Sequence, residues 1–195
     1  MAHRRRAGLA LTLLLTLLPA GAAAIQQGDR SAAVCVVAPR VEPVEEADAL
    51  GVVPTPRPRL VVVEPLLEIR IQRQGHPTWQ RQGSREQPIL TPLNWPAAPI
   101  QPGELVLLQL RPLEAAADSF AHVQLAGASS GRMESTAALI RSLGQRGEAW
   151  LAAFEQALDR GDVPLAWALL FHPNTPATAE LISLQQEVIR RGCSG

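Results

Sequence analysis

The chain has 195 residues, 47% of them apolar, and its 18 basic residues balance 18 acidic ones. All the basic residues are arginine. The balance of charges excludes a strongly basic nucleic-acid-binding surface, and the high apolar content excludes a largely disordered chain. The length suits one domain of ordinary size or two small modules, with enough apolar residues for a packed core.

The first 24 residues have the three parts of a cleavable secretory signal peptide. Residues 4–6 are three arginines, and residues 7–18 form an apolar stretch that is too short to span a bilayer comfortably as a helix. Ala22 and Ala24 supply the small side chains that a signal peptidase requires. We predict cleavage after Ala24 and export to the periplasm or the extracellular space, with no membrane span in the mature chain. An N-terminal anchor or a buried helix is the alternative.

Two cysteines, Cys35 and Cys193, lie near the two ends of the exported part. In an oxidising compartment such a pair is a candidate disulfide. Two unpaired thiols remain the alternative, because spacing alone does not show that the sulfur atoms meet.

Residues 25–59 are predicted to be a loop-rich lead-in with one short strand over residues 33–37. An acidic cluster of Glu45, Glu46 and Asp48 follows the strand. Pro54, Pro56 and Pro58 then remove backbone donors, which favours a stiff, extended connector.

Residues 60–126 have the pattern of a small antiparallel β-sandwich. Leu67, Ile69 and Ile71 alternate with polar residues, which places one face of a strand in a core and the other in water. Further short strands are predicted at 60–63, 78–81, 89–95, 104–110 and 120–125, with Gly or Pro between most of them. This regular spacing is typical of sandwich folds.

One segment of this region, TPLNWPAAPIQPGELVLLQL, carries a Trp-Pro, a spacer and a Pro-Gly that leads into an apolar strand. It resembles the end of a fibronectin type III or immunoglobulin-like domain of bacterial exported proteins, over about 30 residues. The resemblance implies a scaffold that hosts unrelated functions.

Residues 132–192 change to helical periodicity and are predicted to form a helical hairpin or bundle. Asp162 is a predicted N-cap with Pro164 in the first turn, and Thr175 is a second predicted N-cap. Gly147 and Gly161 are predicted to end the first two helices. The expected fold class is therefore α+β, and we expect the helices to pack on the sheet, because 50–60 residues alone have little core.

The segment 127–131, GASSG, fits the G-x-S-x-G pattern of a serine nucleophile between a strand and a helix. Ser129 would be the nucleophile, with Asp162 (or Asp159) and His172 following in hydrolase order. A small-residue linker between two modules explains the same five residues without chemistry.

No cofactor or metal is predicted, because His76, His122 and His172 are isolated from one another in the sequence. A zinc site built from these histidines with a cysteine or Asp118 is the alternative. Trp79 and Trp95 are core candidates, with a sugar- or peptide-binding platform as the alternative.

The favoured interpretation is an exported, non-enzymatic interaction or envelope-associated module whose partner is an unknown protein or envelope component. The alternative is a small serine hydrolase that uses Ser129. No nucleic-acid partner is expected.

Overall fold

The computed structural model describes residues 34–43 and 49–192. The predicted signal peptide, the acidic cluster at residues 45–48 and Cys193 lie outside the described residues. The predicted α+β class is confirmed: strands come first along the chain and helices follow at the C-terminal end.

Within the described residues, nine strands form two sheets. The strands are β1 Val36–Ala38, β2 Glu42–Pro43, β3 Ala49–Val53, β4 Arg59–Val62, β5 Leu66–Arg73, β6 His76–Gln82, β7 Leu93–Asn94, β8 Leu105–Pro112 and β9 Ala121–Gly127. One sheet has the order β1-β4-β7, and the other has the order β2-β3-β9-β8-β5-β6. Every neighbouring pair is antiparallel except β3 and β9, which run parallel.

The predicted alternation is confirmed for Ile69 and Ile71 of β5, which point into the core while Arg70 and Gln72 lie on the opposite, partly solvated face. It is wrong for Leu67, which is only partly buried: the register shifts between Leu66 and Glu68, and Leu66 takes the core position instead. Strands β8 and β9 alternate in the same way. Each of these strands has one buried face, and this fixes the register of the sheet.

The lead-in contains more strand than its sequence predicts. Strand β3 joins the six-stranded sheet beside β9, just before the proline-rich connector. Gly51 lets the chain at Arg40 approach β3 closely: a Cβ at this position would lie 2.7 Å from the carbonyl oxygen of Arg40. Only glycine permits this close approach, and glycine also interrupts the apolar pattern of a strand.

Strand β4 is buried on both faces and separates two apolar clusters. Leu60 and Val62 face a cluster shared with the six-stranded sheet, whereas Val61 faces a second cluster that contains Trp150 and Phe154. The molecule therefore has three layers: the large sheet, the small sheet and the helices. The expected packing of helices on a sheet is present, and it uses the outer face of the small sheet.

Four helices form the third layer: α1 Ser130–Leu143, α2 Gly147–Asp159, α3 Val163–Leu170 and α4 Ala179–Arg191. The predicted cap at Asp162 is confirmed by its hydrogen bond from the backbone N–H of Leu165, at 3.2 Å. The predicted end at Gly147 is wrong. Gly144, with φ of 57°, ends α1, and Gly147 begins α2. The cap of α4 is Thr178 rather than Thr175.

Candidate functional site

The three residues of the hydrolase hypothesis lie in different settings. Ser129 is the N-cap of α1, and its hydroxyl accepts a hydrogen bond from the backbone N–H of Arg132 at 3.4 Å. Asp162 caps α3 and forms an ion pair with the side chain of Arg132. Arg132 thus links the two residues, and both perform helix-capping roles. The other acid considered, Asp159, is an exposed residue at the end of α2.

His172 lies at the end of α3, and its hydrogen bonds go elsewhere. Its Nδ1 accepts a hydrogen bond from the backbone N–H of Asn174 at 3.1 Å, and its ring centroid is 5.8 Å from that of Trp150. Among the described residues, no hydrogen bond joins it to Ser129 or Asp162. Ser129 has φ of −60° and ψ of 156°, an ordinary extended conformation rather than the strained turn of a nucleophile elbow.

The metal and sugar alternatives gain no support from the geometry. Within residues 34–43 and 49–192, no group of three or more His, Cys, Asp or Glu side chains is placed to hold a metal ion. Trp95 is 6% exposed, and its indole N–H donates to the carbonyl oxygen of Ala98 at 2.8 Å. Trp79 packs partly buried against the same core. The two rings are core residues and form no exposed platform.

A basic cleft lies where the proline-rich connector meets α3, and we call it the arginine cleft. Its polar lining comes mainly from Arg40, Arg57, Arg59 and His172, and Trp167 contributes to its apolar wall. None of the described residues that line it is an aspartate or a glutamate. The space in the cleft into which a water-sized group fits is only about 20 Å³. It therefore suits one small polar group rather than an entire metabolite.

The walls of the cleft are stiff because several of them are prolines. Pro39, Pro54, Pro58 and Pro164 all line it, and a proline ring fixes φ. The backbone N–H of Ile100 closes the connector by donating to the carbonyl oxygen of Pro56 at 2.8 Å. The arginines are thus presented from a backbone with little freedom to collapse.

Arg59 differs from the other partly buried arginines. Its Nε is buried without a hydrogen-bond partner, as are the Nε atoms of Arg73 and Arg111. Those two arginines use their terminal nitrogens in ion pairs, with Glu104 at 2.8 Å and Glu68 at 2.9 Å. Among the described residues, Arg59 has no side-chain hydrogen bond and no acidic partner. Its charge is therefore uncompensated.

The positive field of the cleft acts on His172. Burial lowers the pKa of His172 below its usual value of 6.5, and the charge of Arg59 lowers it further. Both effects disfavour the imidazolium form. Since Nδ1 accepts a hydrogen bond, the neutral ring carries its proton on Nε2.

The densest ionic network lies on the outer face of the large sheet. Glu68 is 2% exposed and pairs with Arg70 at 2.6 Å and with Arg111 at 2.9 Å. Both guanidinium groups also lie near the ring of Phe120, at 4.4 and 5.8 Å from its centroid. Burial raises the pKa of Glu68, but the hydrogen bonds and charges of its partners outweigh this effect and hold the pKa below its usual value. The charge of Glu68 is paired with those of Arg70 and Arg111 inside the network, which indicates a structural role.

A broad depression of about 490 Å³ lies on the same face. The side chains of Gln72, Gln109 and His122 form a hydrogen-bonded row beside it, with distances of 2.9 and 3.2 Å. Because these polar side chains already bond to one another, they are less available to a ligand than the arginines of the cleft are.

Cys35 lies beside the helical layer, partly buried against its apolar cluster. Cys193 is outside the described residues, but its neighbour Gly192 is close to β1. A Cβ built on Gly192 would be 3.5 Å from a methyl carbon of Val37. Gly192, which precedes Cys193, therefore lies close to Val37, which is two residues from Cys35.

Comparisons with known proteins found no matching family model, no matching curated protein and no matching solved structure. In the part of the chain that the structure describes, no helix is long and apolar enough to cross a membrane. The sequence singled out His172 but not the three arginines. Their nearest signal was the run PTPRPRL, in which prolines alternate with basic residues.

Proposed function

We propose that this chain is an exported, non-enzymatic binding module of the periplasm or the extracellular space, and that the arginine cleft is its binding site. The partner is a protein or an envelope component that presents a negatively charged group. The proposed location depends on the tripartite N-terminus, and the proposed site depends on the cleft.

The single observation that carries the proposal is the uncompensated positive charge of the cleft. Arg40, Arg57 and Arg59 line one small cavity whose described lining contains no carboxylate. Like charges that lie together without a counter-charge repel one another, and water screens this repulsion at the exposed Arg40 and Arg57 but less at the partly buried Arg59. A binding role explains the arrangement, because the arginines then find their counter-charge on the partner.

A serine hydrolase is the second candidate, and one feature favours it. Ser129 lies between β9 and α1, and β9 pairs in parallel with β3, as strands beside a nucleophile elbow do. However, a serine needs a base within hydrogen-bond reach to become a nucleophile. The predicted base, His172, accepts a hydrogen bond from the backbone of Asn174 and lines the arginine cleft instead.

The fibronectin- or immunoglobulin-like scaffold stays a prediction. The apolar cluster shared by the two sheets supports it, since such folds bury the inner faces of two sheets together. The parallel pair β3 and β9 departs from their all-antiparallel pattern.

We also propose a disulfide between Cys35 and Cys193. It is supported by the contact between Gly192 and Val37 and by the oxidising destination. The bond would tie α4 to β1 and hold the helical layer on the small sheet.

The proposed function is tested by affinity capture from the native envelope fraction. The mature wild-type protein is compared with an Arg57→Gln/Arg59→Gln variant and with Arg81→Gln, a control on the exposed edge strand β6. We expect a discrete partner with the wild type and the control, and its loss with the double variant. Equal capture by all three proteins, or no partner with any of them, would refute the proposal. Ester hydrolysis that disappears in Ser129→Ala would favour the second candidate.

A further inference from the structure

We infer that the arginine cleft binds a small oxyanion, a carboxylate or a phosphate, that is carried next to an apolar group. This inference rests on the proposed binding function and specifies its ligand chemistry. It concerns the chemical group in the cavity, whatever macromolecule carries it.

The charge and geometry of Arg59 argue for an oxyanion. A guanidinium presents a planar set of N–H donors that matches the two oxygens of a carboxylate or a phosphate. Arg59 lines the cleft, and among the described residues its side chain has neither a hydrogen bond nor an ion pair. Arg57 lies beside it and is held by a hydrogen bond from its Nη1 to the carbonyl oxygen of Ala97, at 3.3 Å. The second arginine is thereby positioned as well as charged.

The size and lining of the cleft argue for an apolar carrier. The space of about 20 Å³ inside the cleft accepts about one water-sized group, such as one oxygen of an anionic group, and the rest of the ligand must lie at its mouth. The surrounding wall is Trp167, Phe171 and several prolines, which offer the rest of the ligand an apolar surface. A free inorganic ion would leave this wall unused.

None of the described residues that line the cleft carries a carboxylate. The acidic cluster of Glu45, Glu46 and Asp48 lies outside the described residues. We assign the oxyanion to a separate molecule.

The test is an NMR titration of the full mature protein that follows the Arg59 Nε–H and the ring of His172. The probes are N-acetylphenylalanine, phenyl phosphate, acetate and, as an uncharged match to the first, N-acetylphenylalaninamide. We expect saturable shifts at both groups with the charged aromatic probes, and at least tenfold weaker binding of acetate. The uncharged amide should cause no shift. The bound anion should also raise the pKa of His172, because it offsets the charge of Arg59, which lowers that pKa.

Arg57→Gln should leave the fold unchanged, because Arg57 is exposed, and it should weaken binding of the charged aromatic probes at least fivefold. Arg81→Gln should leave the binding of the probes unchanged. If the aromatic carboxylate binds and the phosphate does not, the ligand is a carboxylate group, and the converse assigns a phosphate. Shifts that grow without saturation, or that Arg57→Gln does not change, would overturn the inference. If no probe binds while partner capture still depends on the cleft arginines, the oxyanion inference fails and the proposed function stands. If capture fails as well, both fail.

Discussion

Val61 provides a direct measure of whether the helices and the sheets form one folding unit. Its side chain is 2% exposed and lies between the small sheet and the helical layer, whereas Val63, two residues further on, is 46% exposed. Val61→Thr replaces a methyl group by a hydroxyl of similar size, so it leaves no cavity. A hydroxyl in apolar surroundings costs about 1–3 kcal/mol. We therefore expect a loss of about 2 kcal/mol and a Tm lower by about 4–8 °C for a chain of this size.

The assay is urea unfolding of the mature protein, followed by circular dichroism and by tryptophan fluorescence. Val63→Thr is the matched control and should change the free energy of unfolding by less than about 0.5 kcal/mol, as surface substitutions do. The two probes should give one coincident transition, because a shared apolar layer couples the helices to the sheet. Equal effects of the two substitutions, or separate transitions for strands and helices, would refute the three-layer packing.

Four further outcomes are expected. N-terminal sequencing of exported material should begin at Ile25 or within two or three residues of it, and a full-length chain in the membrane would contradict cleavage. Non-reducing peptide mapping should find Cys35 and Cys193 in one linked species, and reduction should cost on the order of 4–5 kcal/mol in the chain-entropy view, whereas two alkylatable thiols would exclude the bond. Glu68→Gln should lower the free energy of unfolding by about 2 kcal/mol, because two arginines lose their counter-charge in a partly exposed setting. Its folded pKa lies below the usual 4.5, so the stability it contributes is present above that pH and is lost as the pH falls through the folded pKa. The pKa of His172 in the folded chain also lies below its usual 6.5. The unfolded chain therefore takes up a proton first, and the free energy of unfolding falls as the pH drops below about 6.5. In urea titrations at several pH values, His172→Gln should reduce this pH dependence, and an unchanged pH dependence would contradict the lowered pKa.

The sequence predicts the strands with one buried face best. The alternation in β5, β8 and β9 follows directly from a sheet that is apolar on one side. Strand β4, with the run Leu60 to Val62, is also predicted, and its burial on both faces explains why it lacks alternation. What one sequence does not show is which layers cover the two faces.

Local backbone chemistry explains the misplaced boundaries. Gly144 and Gly147 are three residues apart, and only the first adopts the positive φ that ends a helix. Gly147 is required for another reason: a Cβ there would lie 2.5 Å from the methyl group of Thr178. Such tertiary contacts also select Thr178 over Thr175 as the cap, and they are invisible in the local pattern.

The candidate site depends on contacts between distant parts of the chain, so sequence reasoning recovers little of it. Arg40, Arg59 and His172 come from the end of β1, from β4 and from the end of α3. No short motif joins them. By contrast, the GASSG motif is local and easily noticed, and the structure explains its serine as a helix cap.

The central claim is that the arginine cleft, and not Ser129, is where this protein meets its partner. Site-specific photo-crosslinking in cells that export the protein tests it most directly, with the crosslinker at position 52, where an exposed valine lines the cleft and all three arginines are kept, and, as a control, at position 81 on the exposed edge strand. The account predicts one discrete adduct from position 52 that is absent from position 81 and persists in Ser129→Ala. The same products from both positions, or no adduct from position 52, would contradict it.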